Sequence, residues 1–391
     1  MILSAALWIT GIPATASCLY LLILTLLSAR LPARAPSERK LRFDVIVPAH
    51  NEESVITHII ESLQQLDWPS DQFRIVVVAD NCTDNTAAIA AAAGAHVMQR
   101  ADPEQRGKGY ALNFAFSASR ARGWANAVCV VDADAQVSSN LLEAYAQRIE
   151  SGEHAVQAHY GISNTNASWR TRLLSIAKAS FHIVRSRARE RLGLSCGIRG
   201  NGWCVTHALL EKVPYKAFSL TEDLEYGIEL GLAGFRVAYA DEAHADAEMV
   251  TGEKDARKQR QRWEQGRLQL TRAKTLPLLK QALLRRSKVC LDLALDLIVL
   301  PLSYVALNVF ALIALAGFAV TQSVPYEWLW IGLGCAVALL LYTLRGWQLS
   351  GAGLRGLLDL ARAPFFIIWK VIVMVGGGQS KEWVRTKRER T

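Results

Sequence analysis

No charged residue lies between Met1 and Ala29, and between Leu297 and Leu344 there is only Glu327. An uncharged stretch of about 20 residues can cross a bilayer's hydrocarbon as a helix, so the chain reads as a membrane protein. The seven cysteines include no Cys-x-x-Cys pair and no zinc spacing, which argues against a disulfide scaffold or a zinc module. Cys82, Cys129, Cys196 and Cys204 read as small core residues. No internal repeat or low-complexity tract occurs. The positive charges that would open a secretory signal are also missing from the front of the first apolar run. They follow it instead, as Arg30, Arg34, Arg39, Lys40 and Arg42.

The placement of charge sets an expected topology. By the positive-inside rule that basic group stays in the cytoplasm, leaving the N-terminus outside. The second apolar region breaks at Thr321–Glu327, which carries no Lys or Arg, with Arg285, Arg286 and Lys288 before the region and Arg345 after it. A hairpin with an external turn is expected. Pro364–Val375 is short for a span and contains Lys370. With amphipathic Leu354–Ala363 it is expected to lie in the interface or re-enter, a tilted fourth span being the alternative. The expected layout is a transmembrane helix at 1–29, a cytoplasmic domain at 41–272, a transmembrane hairpin at 289–345, and interfacial or re-entrant helices with a basic tail at 346–391.

The net charge of +9 has a local source: Thr251–Lys288 holds twelve Lys or Arg against three Asp or Glu. Such a band beside a membrane hairpin suits anionic headgroups or anionic substrates. No nucleic-acid motif or aromatic stacking platform accompanies it, so nucleic acid is not an expected partner.

Between Arg42 and about Gly252, short apolar runs alternate with helical ones. Strands are expected at Phe43–Pro48, Arg74–Asp80, His96–Gln99, Ala127–Asp132, His154–His159 and Val237–Ala240. Helices are expected at Glu53–Leu66, Thr83–Ala93, Lys108–Arg120, Leu141–Ser151 and Glu222–Leu232. Alternation of this kind implies an α/β domain with a mostly parallel sheet covered on both faces. Ligands of such sheets bind beyond the carboxyl ends of the strands, where Pro48, Asp80 and Asp132 are expected to converge.

Several motifs sit at those ends, each with a structural reading beside the functional one. Pro48-Ala-His50-Asn51-Glu52 opens a helix whose free N–H groups favour anions; Asn51 or Ser54 could instead be a cap. Asp80-Asn-Cys-Thr-Asp84 repeats the layout. Arg106-Gly-Lys108-Gly109 is a Gly-Lys turn of a common kind. Asp132-Ala-Asp134 offers hard oxygen ligands suited to Mg²⁺ or Mn²⁺, or two solvated turn residues. Glu222 and Asp223 could be acids compensating a helix start, or Asp223 a general base. Gly200-Asn201-Gly202 permits close approach of a ligand to the backbone. Gln259, Arg262 and Trp263 share one helical face, as the residues of a cationic surface helix would.

Taken together, Pro48–Glu52, Asp80–Asp84, Asp132-x-Asp134, Thr221-Glu-Asp223 and Gln259-x-x-Arg-Trp263 resemble the membrane-integrated family 2 glycosyltransferases of the GT-A fold. The resemblance covers about Leu41 to Leu270. It implies inverting transfer of a hexose from a nucleoside diphosphate sugar, with UDP the expected carrier, to a hydroxyl of a lipid-linked acceptor. The setting it implies is exopolysaccharide or cell-surface glycan synthesis at the inner membrane, among membrane lipids. Pro48, His50, Asn51 and Glu52 would wrap the nucleotide, Asp80 its base, and Lys108 the base or phosphates. Asp134, with Asp132, would hold Mn²⁺ or Mg²⁺, and His244 is a further candidate ligand. Gly200 and Asn201 would lie beside the sugar. Asp223 would be the base, Arg262 would face the diphosphate with Gln259 on the same side, and Trp263 would support the acceptor. A processive polysaccharide synthase and a ceramide-type glucosyltransferase are rival enzymes. A catalytically silent nucleotide-sugar-binding scaffold is the rival outside enzymes, and a transporter is disfavoured by the absence of paired broken helices.

Overall fold

A computed structural model describes residues 2–249, 253–323 and 325–365. The strands are β1 (Phe43–Ala49), β2 (Phe73–Asp80), β3 (His96–Arg100), β4 (Ala127–Val130), β5 (Ala135–Val137), β6 (Ala155–Ile162), β7 (Trp203–Thr206) and β8 (Ala238–Ala247). The helices are α1 (Ile2–Leu26), α2 (Ile56–Gln64), α3 (Thr86–Ala92), α4 (Lys108–Arg122), α5 (Leu141–Glu150), α6 (Trp169–Ala179) and α7 (Arg185–Arg191). They continue with α8 (His207–Lys212), α9 (Glu222–Leu232), α10 (Glu253–Leu284), α11 (Lys288–Ile298), α12 (Leu302–Thr321), α13 (Glu327–Leu349) and α14 (Gly353–Asp359). The chain forms two compact units.

Residues 31–165 with 193–294 build the first unit around one sheet of order β3-β2-β1-β4-β7-β6-β8-β5. Four neighbouring pairs are parallel (β3/β2, β2/β1, β1/β4 and β6/β8) and the other three antiparallel. The central strands are apolar without a break because both faces are covered. Val45, Val47, Val77 and Cys129 pack with Ile59, Ile60, Leu63, Leu142 and Tyr145 of α2 and α5. Their alternates Ile46, Val76, Val78 and Val130 pack with Leu112, Phe116, Leu209, Tyr226 and Leu230 of α4, α8 and α9. The period of two along each strand thus divides the core into two layers.

This agrees with the expected GT-A-like α/β class, while several expected boundaries move. β1 runs one residue past Pro48, and β4 stops at Val130, so Asp132 lies in the following turn rather than in the strand. α2 and α3 begin three residues later than expected, at Ile56 and Thr86, because each follows a longer turn that opens on a positive-φ residue, Asn51 or Asn81. β5 and β7 were not anticipated; with three and four residues they are too short to display an alternation. Cys129, Cys196 and Cys204 are buried as expected, whereas Cys82 is only half-buried.

In the second unit, Asn166–Leu192 joins the apolar ends of the chain. α1, α12 and α13 are each long and apolar enough to cross a membrane. Leu7, Ala14 and Leu21 interlock with Val309, Leu312, Ala316 and Tyr342. Trp328 seats on α1 where Gly11 leaves room, since a Cβ there would lie 2.1 Å from its ring. The apolar region breaks between Thr321 and Glu327 as expected. α6 and α7, joined through a π-helical turn at Ser180–Val184, were not anticipated. Their arginines hide the apolar face, and Arg185 and Arg189 are buried together on Asp296, each 2.8 Å from the same oxygen. α14 falls on the amphipathic Leu354–Ala363 pattern. Most of Pro364–Val375, including Lys370, and the basic tail lie outside the described residues.

Candidate active site

The parallel strands β1, β2 and β4 deliver three turns to one edge of the sheet. The first two turns are fastened to each other. His50 Nδ1 is 2.7 Å from the Asp80 carbonyl oxygen, the Thr83 N–H donates to Asn51 Oδ1 at 2.7 Å, and the Glu52 N–H donates to Thr86 Oγ1 at 2.8 Å. Asn51 therefore ties two turns together and caps no helix, and α2 has no side-chain cap. Pro48 remains inside β1 opposite Val78, one residue before the strand ends at Ala49.

Asp80 ends β2 directly opposite Arg100 at the end of β3. Their side chains form an ion pair at 2.7 Å and are only 8% and 9% exposed. Arg100 also reaches Asp102 and the Gln105 carbonyl, and its guanidinium faces the Tyr110 ring. The signal for Arg100 was a cation ending a short strand beside an acid-ended one.

The third turn carries Asp132 and Asp134. Lys108, the first residue of α4, places its ammonium 2.5 Å from Asp132 Oδ1, 2.6 Å from the Gly200 carbonyl and 3.9 Å from Glu222. The Asp132 N–H donates to Asn201 Oδ1 at 3.0 Å, and the Gly202 N–H donates to the Val130 carbonyl. Gly200 has φ +92°, and a Cβ on it would lie 3.2 Å from Asp223 Oδ2. Gln157, a polar residue inside an apolar strand, fixes this loop through the carbonyls of Asn201 and Gly202 and the N–H of Arg199. Lys108, Asp132, Gly200, Asn201 and Asp223 are thus brought together, and Glu222 joins them as a residue the motif reading did not select.

Three carboxylates around one ammonium perturb one another. Burial pushes Glu222 up to about 7, with Lys108 opposing and Asp223 adding to the rise. Burial also raises Asp223, against the Leu224 N–H and Lys108. Burial alone would lower Lys108, but Asp132 and Glu222 outweigh it and hold the ammonium above its ordinary value.

Gln259, Arg262 and Trp263 lie half-buried on α10. Gly266, one turn beyond Arg262 on the same face, presses on Thr221: a Cβ there would lie 2.5 Å from the threonine methyl. α10 therefore passes across the start of α9, where Glu222 and Asp223 stand. Arg262 Nε is buried with no hydrogen-bond partner among the described residues.

His244 does not join the carboxylate pair. Its N–H donates to Ser138 Oγ and its carbonyl accepts from the Ser138 N–H, four residues along from Asp134 and so roughly 13 Å away at strand rise. Its imidazole instead meets Asp246 at 2.9 Å, and that carboxylate raises its pKa. Among the described residues no three His, Cys, Asp or Glu side chains converge to hold an ion. A divalent cation bridged to a diphosphate needs only one or two protein carboxylates, with substrate oxygens and water completing the shell. Asp134, half-buried in the turn just before β5, and Asp132 fit that requirement.

Residues 41–266 match glycosyltransferase-like family 2. The chain is 29% identical over 231 residues to a β-monoglucosyldiacylglycerol synthase of Nostoc sp., covering 57% of this chain and 48% of that protein. It is 30% identical over 229 residues to the Synechocystis sp. enzyme of the same name, covering 57% and 47%. The chain thus spans about half the length of the curated relatives it matches. A solved mannosyltransferase from Pyrobaculum calidifontis, in complex with GDP-mannose and Mn²⁺, superposes with a TM-score of 0.52 at 20% identity. That match covers 88% of this chain and 99% of the other, and shows a shared fold. The family match extends from β1 to α10 and so takes in every turn of this site: the chain belongs to the family 2 glycosyltransferases, with a GT-A-like catalytic fold.

Proposed function

We propose that the chain is an inverting hexosyltransferase that moves a sugar from a nucleoside diphosphate to the hydroxyl of a membrane lipid. The observation that carries this reading is the meeting of Lys108 with Asp132 and the Gly200 carbonyl while the Gly200 backbone abuts Asp223. A cation for the leaving diphosphate and a carboxylate for the incoming hydroxyl stand on either side of one glycine.

In this reading Asp223 takes the acceptor proton, and the acceptor oxygen attacks the anomeric carbon from the face opposite the diphosphate. The bond from that carbon to the diphosphate oxygen breaks, and the leaving charge falls on Lys108 and Arg262. The burial that raises Asp223 makes it a stronger base once ionised. Pro48, His50, Asn51 and Glu52 form the nucleotide turn, with Asp80 and Arg100 beneath the base. Asn201 sits beside the sugar, and Gln259 and Trp263 face the acceptor. Asp134, with Asp132, would hold Mg²⁺ or Mn²⁺, which when bound neutralises diphosphate charge.

The acceptor assignment draws on two features. α1, α12 and α13 supply three spans, with the sheet unit on the cytoplasmic side, the N-terminus and the Thr321–Glu327 turn outside, and approximate limits of 1–29, 41–272 and 289–345. The Nostoc and Synechocystis relatives are named for making β-monoglucosyldiacylglycerol, and a β-glucoside is what inversion gives from an α-linked donor. A glyceride hydroxyl, or a sugar hydroxyl on a polyprenyl diphosphate carrier, fits both features better than the end of a growing polysaccharide.

The test is transfer by purified chain in nanodiscs. UDP-glucose, UDP-galactose and GDP-mannose, each radiolabelled, are offered with diacylglycerol or a polyprenyl diphosphate-linked sugar. One sugar per lipid supports the reading, and a ladder of long chains supports a processive synthase. Asp134→Ala and chelation should each abolish transfer, and full activity under chelation would remove the metal from the account.

A further inference from the structure

We propose that the ledge formed by α6 and α14 binds an anionic phospholipid, its phosphate beside Arg170 and Arg362 around Trp169 and its acyl chains over Leu354, Leu358 and Phe365. This rests on the reading that α1, α12 and α13 span a bilayer.

The sequence prepares the ledge locally. Ser168 and Thr171 form a reciprocal cap, which starts α6 and sets Trp169 and Arg170 in its first turn. The Trp169 ring then has the Arg170 guanidinium 5.3 Å from its centroid and that of Arg362 5.9 Å away. Asp359 fixes the second helix to the first: one oxygen accepts from Arg172 Nε at 2.6 Å, and the other pairs with Arg362 at 2.8 Å. Asp359 is buried, while the Arg362 side chain stays 59% exposed.

Charge in these segments is one-sided. Residues 166–175 and 350–365 contain Arg170, Arg172, Arg355 and Arg362 against Asp359 alone. An anion is therefore the complementary ligand, and an indole between guanidiniums is a headgroup-level arrangement.

The apolar half of the ledge decides between a free anion and a lipid. Ala352, Gly356 and Asp359 are buried, and a Cβ on Gly356 would already touch Ile176, so α14 lies flat against α6. Its other face shows Leu354 and Leu358, at 74% and 75% exposure, and Phe365 beyond the helix end is 75% exposed. α14 starts four residues after α13 ends, and Trp347 Nε1 of α13 donates to the Gly353 carbonyl at 2.8 Å. The exposed leucines are thus continuous with the end of a span, where acyl chains meet headgroups. An acidic protein would satisfy the arginines and leave the leucines in water, whereas an anionic phospholipid covers both.

The experiment titrates the full chain, in neutral detergent, with phosphatidylglycerol or phosphatidylcholine and reads bound lipid by native mass spectrometry. Phosphatidylglycerol should bind more tightly. Removing a basic residue near a lipid surface costs roughly fivefold, so Arg170→Gln/Arg362→Gln should weaken phosphatidylglycerol by about 25-fold and leave phosphatidylcholine unchanged. Leu354→Gln/Leu358→Gln should weaken both lipids. Arg362→Gln alone, at an exposed side chain, serves if the double variant folds poorly, with a loss of roughly fivefold. Equal affinity for the two lipids, no change in the arginine variants, or complete displacement by millimolar inorganic phosphate would each overturn the proposal. Nucleotide binding on the same samples reports on the transferase site separately, so loss of one reading does not carry the other with it.

Discussion

The Lys108 ammonium stands 2.5 Å from Asp132 Oδ1 and 3.9 Å from Glu222, and so bridges the two carboxylates. Removing it leaves the carboxylates facing one another and takes a charge-assisted contact from the donor diphosphate. Lys108→Met should therefore weaken nucleotide binding by about 10- to 100-fold, the worth of a hydrogen bond to a charged group. Calorimetric titration with nucleoside diphosphate checks this, and an unchanged Kd would exclude Lys108 from the donor site.

Glu222 should make the fold pH-sensitive. Its pKa rises from an ordinary 4.5 to about 7. The folded chain thus keeps a proton that the unfolded chain releases. Its stabilising share is complete below about 4.5 and lost as pH rises through about 7. Thermal unfolding followed across that window should show Tm falling with pH, and Glu222→Gln should flatten the fall. A slope unchanged in the variant would mean another group is responsible.

How much of this was legible in the sequence differs from part to part. The β1, β2 and β4 core strands were readable because both faces are buried and their apolar runs have no interruption. α9 was readable to the residue, Glu222 to Leu232, because its acids cluster in the first turn. β7 was not readable, since four residues after a glycine-rich loop carry no period. α6 and α7 were hidden because Arg185 and Arg189, which hydropathy counts as surface residues, are buried against Asp296. Within the site, Asp132, Asp223 and Lys108 could be found from motif order. Arg100 had only the weak signal of a cation at a strand end and Glu222 was passed over beside Asp223, whereas Gln157 could not be found, because its place comes from closure of the loop at Asn201 and Gly202. His244 stands apart from Asp132 and Asp134 because register puts it opposite Ser138.

The Asp80–Arg100 pair should behave as a buried ion pair. Arg100→Met leaves a carboxylate buried without its partner and should cost about 3–5 kcal/mol, whereas replacing both residues by apolar ones of similar size should cost much less. Denaturant unfolding of the two single variants and the double variant tests this. Additive losses would contradict it. The double variant should still lose nucleotide binding if Asp80 and Arg100 lie beneath the base.

Topology is tested at Gln322, just beyond α12. Gln322→Cys should react with an impermeant thiol reagent in intact cells, and Arg286→Cys should react only after the cells are opened. The reverse pattern would place the sheet unit on the outer side.

The central claim is that Asp223 removes the acceptor's proton in a single inverting displacement. The most direct measurement compares Asp223→Asn with the parent chain for nucleotide binding and for transfer of labelled sugar into extractable lipid. The account predicts near-parental nucleotide affinity together with a loss of transfer of roughly 10²- to 10⁴-fold, the usual contribution of a positioned general base. Transfer near the parental rate in Asp223→Asn would contradict it and move the role to Glu222 or another carboxylate.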